Sequence, residues 1–198
     1  MDFVEPIRDV KKIESIKKHM KADGKFRDLL LFTLGINTGL RISDLLQLSW
    51  APFLNSRGNP AKVKSVVTLK ERKTGKIKRF RVNRSVHEAL KLLHENLQAA
   101  EPEDFLFISN KPSKDGHPKP ISRVHAWRVL NHYAGEAGVK GKVGTHTLRK
   151  TFGYHLYRKG IAVEYIQKML NHSSPSVTLR YIGISQDQLD EIYVDLNL

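Results

Sequence analysis

The sequence contains no cysteine among its 198 residues. This absence excludes thiol nucleophiles, disulfide scaffolds, iron–sulfur clusters and zinc sites built from cysteine. It also agrees with a reducing compartment such as the cytoplasm.

Long apolar runs are missing as well. The longest, residues 29–36, is far too short to cross a bilayer and predicts a buried helix instead. The first twelve residues lack the apolar centre of a signal peptide. We therefore expect a soluble protein that does not bind a membrane.

Several catalytic and ligand-binding motifs are also absent. The sequence has no glycine-rich phosphate loop ending in Lys-Ser/Thr, no Gly-x-Ser-x-Gly elbow and no His-Glu-x-x-His motif. None of its nine histidines forms a pair spaced i, i+4. We expect no metal, no cofactor and no small-molecule substrate, so any chemistry must come from side chains alone.

Positive charge is abundant. Lysine and arginine number 34 against 20 acidic residues, which gives a net charge of +14 and a pI near 10.0. The positive electrostatic field of such a protein attracts polyanions, and nucleic acid is the partner that it favours most. A solvated basic surface without a ligand and an acidic membrane surface are the alternatives.

The hydrophobic pattern predicts a mainly α-helical α+β protein with one small antiparallel β-sheet. Residues 63–69 and 77–82 are rich in β-branched side chains and flank a turn at 73–76, so they predict a β-hairpin. Residues 105–108 predict a further short strand. Ser43, Ser85 and Ser122 are expected to cap the helices that follow them.

Phosphoryl transfer without a metal needs arginines for the transition-state charge, a proton donor for the leaving oxygen and a side-chain nucleophile. His146 and Arg149 are three residues apart, on one face at the start of a predicted helix. Taken alone, such a pair is more often a structural histidine and a surface arginine. Arg41 lies at a loop-to-helix junction, where a structural ion pair with Asp44 is the alternative.

These residues fall within a pattern that resembles the tyrosine recombinases, the phage integrase family. Residues 39–45 (GLRISDL) resemble the family's first arginine motif, and residues 146–152 (HTLRKTF) resemble the second. Residues 170–174 (LNHSS) resemble its Leu-Gly-His segment, and Tyr181 follows His172 by nine residues. Lys73 matches the lysine of the family's β-hairpin. The resemblance covers most of the chain, from Arg41 to Tyr181.

The resemblance implies both a fold, that of the DNA breaking-rejoining enzymes, and a site. In it Arg41 and Arg149 hold the scissile phosphate of double-stranded DNA, and His172 donates a hydrogen bond to it. His146 acts as a donor or as the base for the tyrosine, and Lys73 protonates the leaving 5′ hydroxyl. Tyr181 attacks phosphorus to form a 3′-phosphotyrosine, activated by the arginines. Asp44 orients Arg41.

The sequence departs from the family's pattern in two respects. Asn171 stands where the histidine is usually preceded by glycine, a change that a left-handed backbone tolerates in asparagine. Full-length members carry an N-terminal core-binding domain, which we do not expect in residues 1–198. These residues are expected to be one catalytic domain, either a fragment, which we favour, or a natural minimal protein. The tail, about 184–198, is expected to dock on a neighbouring protomer or on its own domain.

The sequence thus predicts a bacterial site-specific recombinase, of the kind that integrates phages or conjugative transposons and assembles as a synaptic tetramer on DNA. Its location would be the cytoplasm, at the nucleoid. A catalytically silent DNA-binding module of the same fold, a type IB topoisomerase-like enzyme and an RNA-binding protein are the competing interpretations.

Overall fold

A computed structural model describes residues 4–60, 66–97 and 100–184 of the chain. The helices are α1 (Val10–Ala22), α2 (Phe26–Thr38), α3 (Ile42–Leu45), α4 (Arg84–Glu95), α5 (Arg123–Glu136), α6 (Thr147–Arg158), α7 (Val163–Leu170) and α8 (Pro175–Ile182). The strands are β1 (Val66–Lys70) and β2 (Ile77–Arg81), and a short 3-10 helix covers Ala51–Phe53. The predicted fold class, mainly helical with a small antiparallel sheet, is confirmed.

Helix α2 lies at the centre of the main hydrophobic core and packs against α1, α4 and α6. Its residues Leu30, Leu31 and Leu34 are completely covered, as the apolar run at 29–36 predicts for a helix buried on every side. The helix ends at Gly39, whose φ of 62° closes the last turn. This ending directs the chain into Arg41.

Side-chain caps fix where several helices begin. Ser122 accepts from the backbone N–H of His125, so its predicted cap is confirmed. The cap of α4 is Asn83 and not Ser85, because α4 starts at Arg84 and Asn83 accepts from the N–H of Val86. The Ser43 prediction is wrong too, because Ser43 lies inside α3.

The predicted hairpin forms from β1 and β2, with Leu69 opposite Lys78 and Lys70 opposite Ile77. Alternate residues face the core, so Val67 and Lys78 are buried while their neighbours are exposed. Residues 105–108 make only isolated bridges, at Phe105 to Ser49 and at Ile108 to Pro120. The strand predicted there is wrong, because the segment contributes buried side chains to the core without pairing continuously.

Helices α6, α7 and α8 enclose a second, smaller cluster that is separate from the main core. Its fully buried members are Ile166, Leu170 and Ile182. Arg8 reaches this region from the N-terminal segment and donates to the carbonyl oxygen of Gly183, which caps α8, at 3.0 Å. The position of α8 therefore depends on this small cluster and on the segment before α1.

Residues 185–198, almost all of the tail, lie outside the described residues. Within the described ranges, no helix combines the length and the apolar character that crossing a membrane requires.

Candidate active site

Residues from five separate parts of the chain meet on one side of the molecule. Arg41 precedes α3, and Glu71 follows β1. Helix α6 begins directly after His146, and Arg149 lies in its first turn. His172 follows α7, and Tyr181 lies in α8. All the side chains that the sequence proposed except Lys73 and Asp44 have direct ion-pair, hydrogen-bond or ring contacts within this group, and those two lie beside it.

Arg149 is the buried centre of the group, with 2% of its surface exposed. Its Nη1 donates to the carbonyl oxygen of Gly39 at 2.6 Å, and its Nη2 donates to the carbonyl oxygen of Leu170. These oxygens end α2 and α7, where carbonyl groups lack helical partners. One guanidinium thus fixes the two helix ends that precede Arg41 and His172.

Arg41 does not form the ion pair with Asp44 that the sequence led us to expect. Its Nη1 lies 2.7 Å from Oε2 of Glu71, whose side chain is completely buried. Asp44, also buried, accepts instead from the backbone N–H of Arg72 at 2.9 Å. Asp44 therefore holds the hairpin, and Glu71 holds the arginine, because only Glu71 reaches Arg41 from the end of β1.

Two histidines surround the hydroxyl and ring of Tyr181. Nδ1 of His146 lies 3.3 Å from the tyrosine oxygen, and the ring of His172 stands edge-on with its centroid 4.8 Å from that of the tyrosine. The ammonium of Lys150 lies 5.3 Å from the centroid of the same ring. No motif in the sequence points to Lys150, which occupies the position after Arg149.

Burial raises the pKa of Tyr181 above 10.0, even though Arg149 and Arg41 each act to lower it. The arginines do favour the phenolate, as the sequence led us to expect, but desolvation by burial outweighs their charge. The hydroxyl stays protonated at neutral pH. A base must remove its proton before or during attack.

His146 has the properties of that base. Burial and the positive charges of Arg123, Arg149, Lys150 and Lys73 lower its pKa below 6.5. The imidazole is consequently neutral at pH 7 and able to accept a proton. Lys73 thus lies within electrostatic reach of His146.

Burial, with Arg149 and Arg41, lowers the pKa of His172 from 6.5 to about 4. Its Nδ1 lies 3.1 Å from Oγ1 of Thr178, whose hydroxyl lies within donating distance of the carbonyl oxygen of Ser174. If Thr178 donates to Nδ1 instead, Nε2 carries the hydrogen and can donate to an anion. The neutral ring can serve as a donor in that tautomer.

We predict that the free energy of unfolding falls as the pH drops from 6.5 towards 4, and that His172 is one cause. The unfolded chain binds a proton at this histidine near pH 6.5, whereas the folded protein resists it until about pH 4, so acid favours unfolding across this window. Thermal unfolding of His172→Gln should show a shallower pH dependence than the wild type. His117→Gln, on an exposed loop, is the control; equal slopes for all three proteins would contradict the prediction.

The lysines of the hairpin differ in burial. Lys73 is exposed in the turn, whereas Lys78 is 6% exposed and donates to the carbonyl oxygen of Met169. Burial, with the charge of Arg149, lowers the pKa of Lys78 to about 8. Lys78 is thus held at the end of α7, whereas Lys73 is exposed to solvent.

Gly153 sets the distance between α6 and the tyrosine helix. A Cβ at this position would lie 2.6 Å from Cγ2 of Ile182 and 3.1 Å from Cδ1 of Leu170. We predict that Gly153→Ala displaces α8, lowers the free energy of unfolding by about 1–3 kcal/mol and slows any reaction of Tyr181.

Gly135→Ala on α5 is the matched control, because a Cβ there would meet no atom within 4 Å. The control should be neutral or more stable, since alanine favours a helix by about 1 kcal/mol over glycine. Chemical denaturation measures both variants. A Gly153→Ala protein as stable as Gly135→Ala would show that α8 does not depend on this contact.

No three His, Asp or Glu side chains come together as a metal site anywhere in the described ranges. The positive charges of the site come from Arg41, Arg149 and Lys150. An anion is therefore the ligand that the site fits.

Comparisons with known proteins identify the family of the chain. The sequence model of the phage integrase family matches residues 8–187. A Bacillus subtilis (strain 168) protein described as "Probable integrase/recombinase YoeC" is 38% identical over 193 residues, covering 98% of this chain and 97% of its own length. The tyrosine recombinase XerA of Pyrococcus furiosus is 29% identical, over 93% of this chain and 60% of its own length. The chain spans between 51% and 60% of the XerA, XerC and XerD recombinases compared.

Solved structures show the same fold. A crystal structure of XerA recombinase superimposes with a TM-score of 0.72 at 20% identity, covering 100% of this chain and 66% of that one. The Tn1549 transposon integrase in complex with a circular intermediate DNA gives a TM-score of 0.66 at 20% identity, covering 98% and 67% of the two chains.

Proposed function

Because this chain belongs to the phage integrase family of tyrosine recombinases, we propose that it cleaves and rejoins double-stranded DNA through a covalent 3′-phosphotyrosine at Tyr181. One observation carries the proposal. The hydroxyl of Tyr181 lies 3.3 Å from a neutral His146 and beside Arg149, at a site whose other charges suit a phosphate. Among the five tyrosines in the described ranges, only Tyr181 contacts both histidines.

In the proposed reaction, Arg41 and Arg149 bind the non-bridging oxygens of the scissile phosphate, and His172 donates a further hydrogen bond. Tyr181 attacks phosphorus while His146 takes its proton, and the bond between phosphorus and the 5′ oxygen breaks. Lys73 gives a proton to that oxygen. Since one phosphodiester bond replaces another, a 5′ hydroxyl can later reverse the step, and neither ATP nor water is consumed.

Arg41 and Arg149, the proposed phosphate clamp, would supply the charge that phosphoryl transfer needs. Negative charge collects on the non-bridging oxygens in the transition state, and fixed donors in a site sheltered from water stabilise it strongly. Arg149 is held by two carbonyl oxygens and Arg41 by Glu71, so neither must reorganise during the reaction. We propose on this basis that cleavage requires no metal.

The test is a nicked DNA substrate whose short flank diffuses away after cleavage, so that the covalent product accumulates. We expect a protein–DNA band that resists denaturation, forms in the presence of EDTA and carries the protein on a 3′ phosphate. Failure to form the band on a cognate site would refute catalysis and favour the silent DNA-binding module. Relaxation of supercoiled DNA without strand exchange would favour the topoisomerase-like alternative.

We also propose that protomers associate on DNA, as a synaptic tetramer requires. Apolar side chains remain exposed around α7 and α8, including Tyr165 at 66%, Val177 at 40% and Ile161 at 38%. Exposed apolar surface of this kind is typical of protein contacts. Light scattering of the protein with and without a paired DNA site should show a larger assembly only with DNA.

A further inference from the structure

Glu71 is a buried carboxylate that neither the sequence motifs nor the reaction described above includes. Its side chain is completely covered, although a carboxylate is costly to bury unless it is paired. A single oxygen, Oε2, lies 2.7 Å from Nη1 of Arg41 and accepts from Oγ1 of Thr74 at 2.7 Å and from Nδ2 of Asn171 at 2.9 Å. The other, Oε1, lies 4.0 Å from Nη1 of Arg149.

Each partner of Glu71 adjoins a different part of the site. Arg41 belongs to the proposed phosphate clamp, Thr74 follows Lys73 in the hairpin turn, and Asn171 precedes His172. A single carboxylate therefore fixes the distances between the clamp, the turn with its lysine and the end of α7. No other acidic side chain in the described ranges forms an ion pair with Arg41 or Arg149.

The carboxylate lies behind the clamp and is not placed to touch DNA. Its side chain has no exposed surface, whereas that of Arg41 keeps 17%. Burial acts to raise the pKa of Glu71, but the hydrogen bonds from Thr74 and Asn171 and the pairing with Arg41 outweigh it, so the group is ionised at neutral pH. An ionised carboxylate at this place holds Arg41 in one orientation.

The hydrogen bond from Asn171 to Glu71 explains why asparagine stands at a position where the family usually has glycine. It is the only residue other than glycine with a positive φ in the described part of the chain, at φ 51° and ψ 40°. Glycine would adopt this conformation at lower cost, but it could not donate to Glu71. The asparagine and the glutamate are thus two halves of one contact.

We propose that Glu71 is a positioning residue, which together with Asn171 holds Arg41 against the scissile phosphate and the turn of Lys73 against the leaving 5′ oxygen. The inference rests on the proposed function. Small displacements of groups aligned with a reacting phosphate cost about 10- to 100-fold in rate. Glu71→Gln removes the charge that holds Arg41 and should slow cleavage by that amount, while DNA affinity changes little.

Two nicked substrates separate positioning of the lysine from a general structural defect. One is ordinary DNA, and the other has sulfur in place of the bridging 5′ oxygen at the scissile phosphate. A thiol ionises far more readily than an alcohol, so the sulfur group leaves without a proton from Lys73. We expect Lys73→Ala to be slow on the first substrate and nearly normal on the second.

Glu71→Gln should be slow on ordinary DNA and recover in part on the sulfur substrate, with the remaining deficit due to Arg41. Asn171→Gly should show a weaker form of the same pattern, and adding it to Glu71→Gln should cause little further loss, because both remove one contact. Glu88→Gln, which removes the same charge from an exposed ion pair with Arg84, is the control. Thermal unfolding verifies that each variant is folded.

A Glu71→Gln protein as fast as the wild type on ordinary DNA would overturn the inference, and so would an equal loss on both substrates. If Glu71→Gln does not fold, the cleavage rates of Asn171→Gly on the two substrates test the inference in the same way. A wild type that cleaves neither substrate would refute the proposed function and this inference with it. Normal wild-type cleavage with an unaffected Glu71→Gln would refute the inference alone.

Discussion

Replacing Tyr181 with phenylalanine abolishes the covalent protein–DNA product and leaves noncovalent DNA affinity within about twofold, since the nucleophile adds little to ground-state binding. The ring keeps its packing in the small cluster of α6–α8, while the hydroxyl near His146 is lost. We expect the free energy of unfolding to change by about 1 kcal/mol or less. Gel analysis of the nicked substrate and a binding assay on intact DNA measure the two effects.

Tyr165→Phe is the matched control. Tyr165 lies on the neighbouring helix α7 with 66% of its surface exposed, and the same atom is removed. It should form the covalent product at the wild-type rate. A product that persists in Tyr181→Phe would assign the nucleophile to another residue.

Arg149→Lys is expected to cause the second-largest effect, a loss of about 100- to 1000-fold in cleavage rate. Lysine keeps the positive charge but offers its donors from one point, whereas the guanidinium reaches the carbonyl oxygens of Gly39 and Leu170 at once. Arg149→Ala should in addition lower the free energy of unfolding by about 3–5 kcal/mol, because it leaves the buried charge of Glu71 with fewer partners. Single-turnover cleavage and chemical denaturation measure the two quantities.

Arg158→Lys is the control on the same helix. Arg158 lies in the last turn of α6 and is exposed, so the exchange should alter neither rate nor stability appreciably. Arg149→Lys with at least half of the wild-type cleavage rate would show that a point charge suffices and that bidentate geometry is unnecessary.

The sequence predicted the residues of the site better than the contacts among them. Arg41, His146, Arg149, His172 and Tyr181 were identified by motif order, and the fold gathers them. The partner of Arg41 was predicted incorrectly, because Asp44 is close in sequence while Glu71 becomes close only when the hairpin folds back. The assignment of Lys73 stays a prediction.

A signal for Glu71 and Lys78 was present in the hairpin. The period of two that buries Val67 and Val82 also places Glu71 and Lys78 on the inner face. Charged residues at inward positions require partners. Glu71 finds them in Arg41 and Arg149, and Lys78 finds one in the carbonyl oxygen of Met169. Lys150 had no comparable signal, because its position over the ring of Tyr181 depends on how α8 packs against α6.

Local capping rules succeeded or failed for physical reasons. At Ser122 the chain enters the helix from an extended conformation, as a cap requires. At Ser85 an equally suitable residue, Asn83, occurs two positions earlier and takes the role. Single-residue propensities could not rank these two candidates.

The proposed nucleophile Tyr181 and the proposed phosphate clamp lie beside hydrophobic clusters of very different size. The cluster under Tyr181 has only Ile166, Leu170 and Ile182 as fully buried members, whereas the main core includes the apolar side chains of α2 and buried residues of several other elements. A region with little buried apolar surface opens at lower free energy than the whole domain. Warming should therefore release the tyrosine helix first, so the protein would lose its ability to cut DNA at a temperature where its main core and its hold on a phosphate still persist.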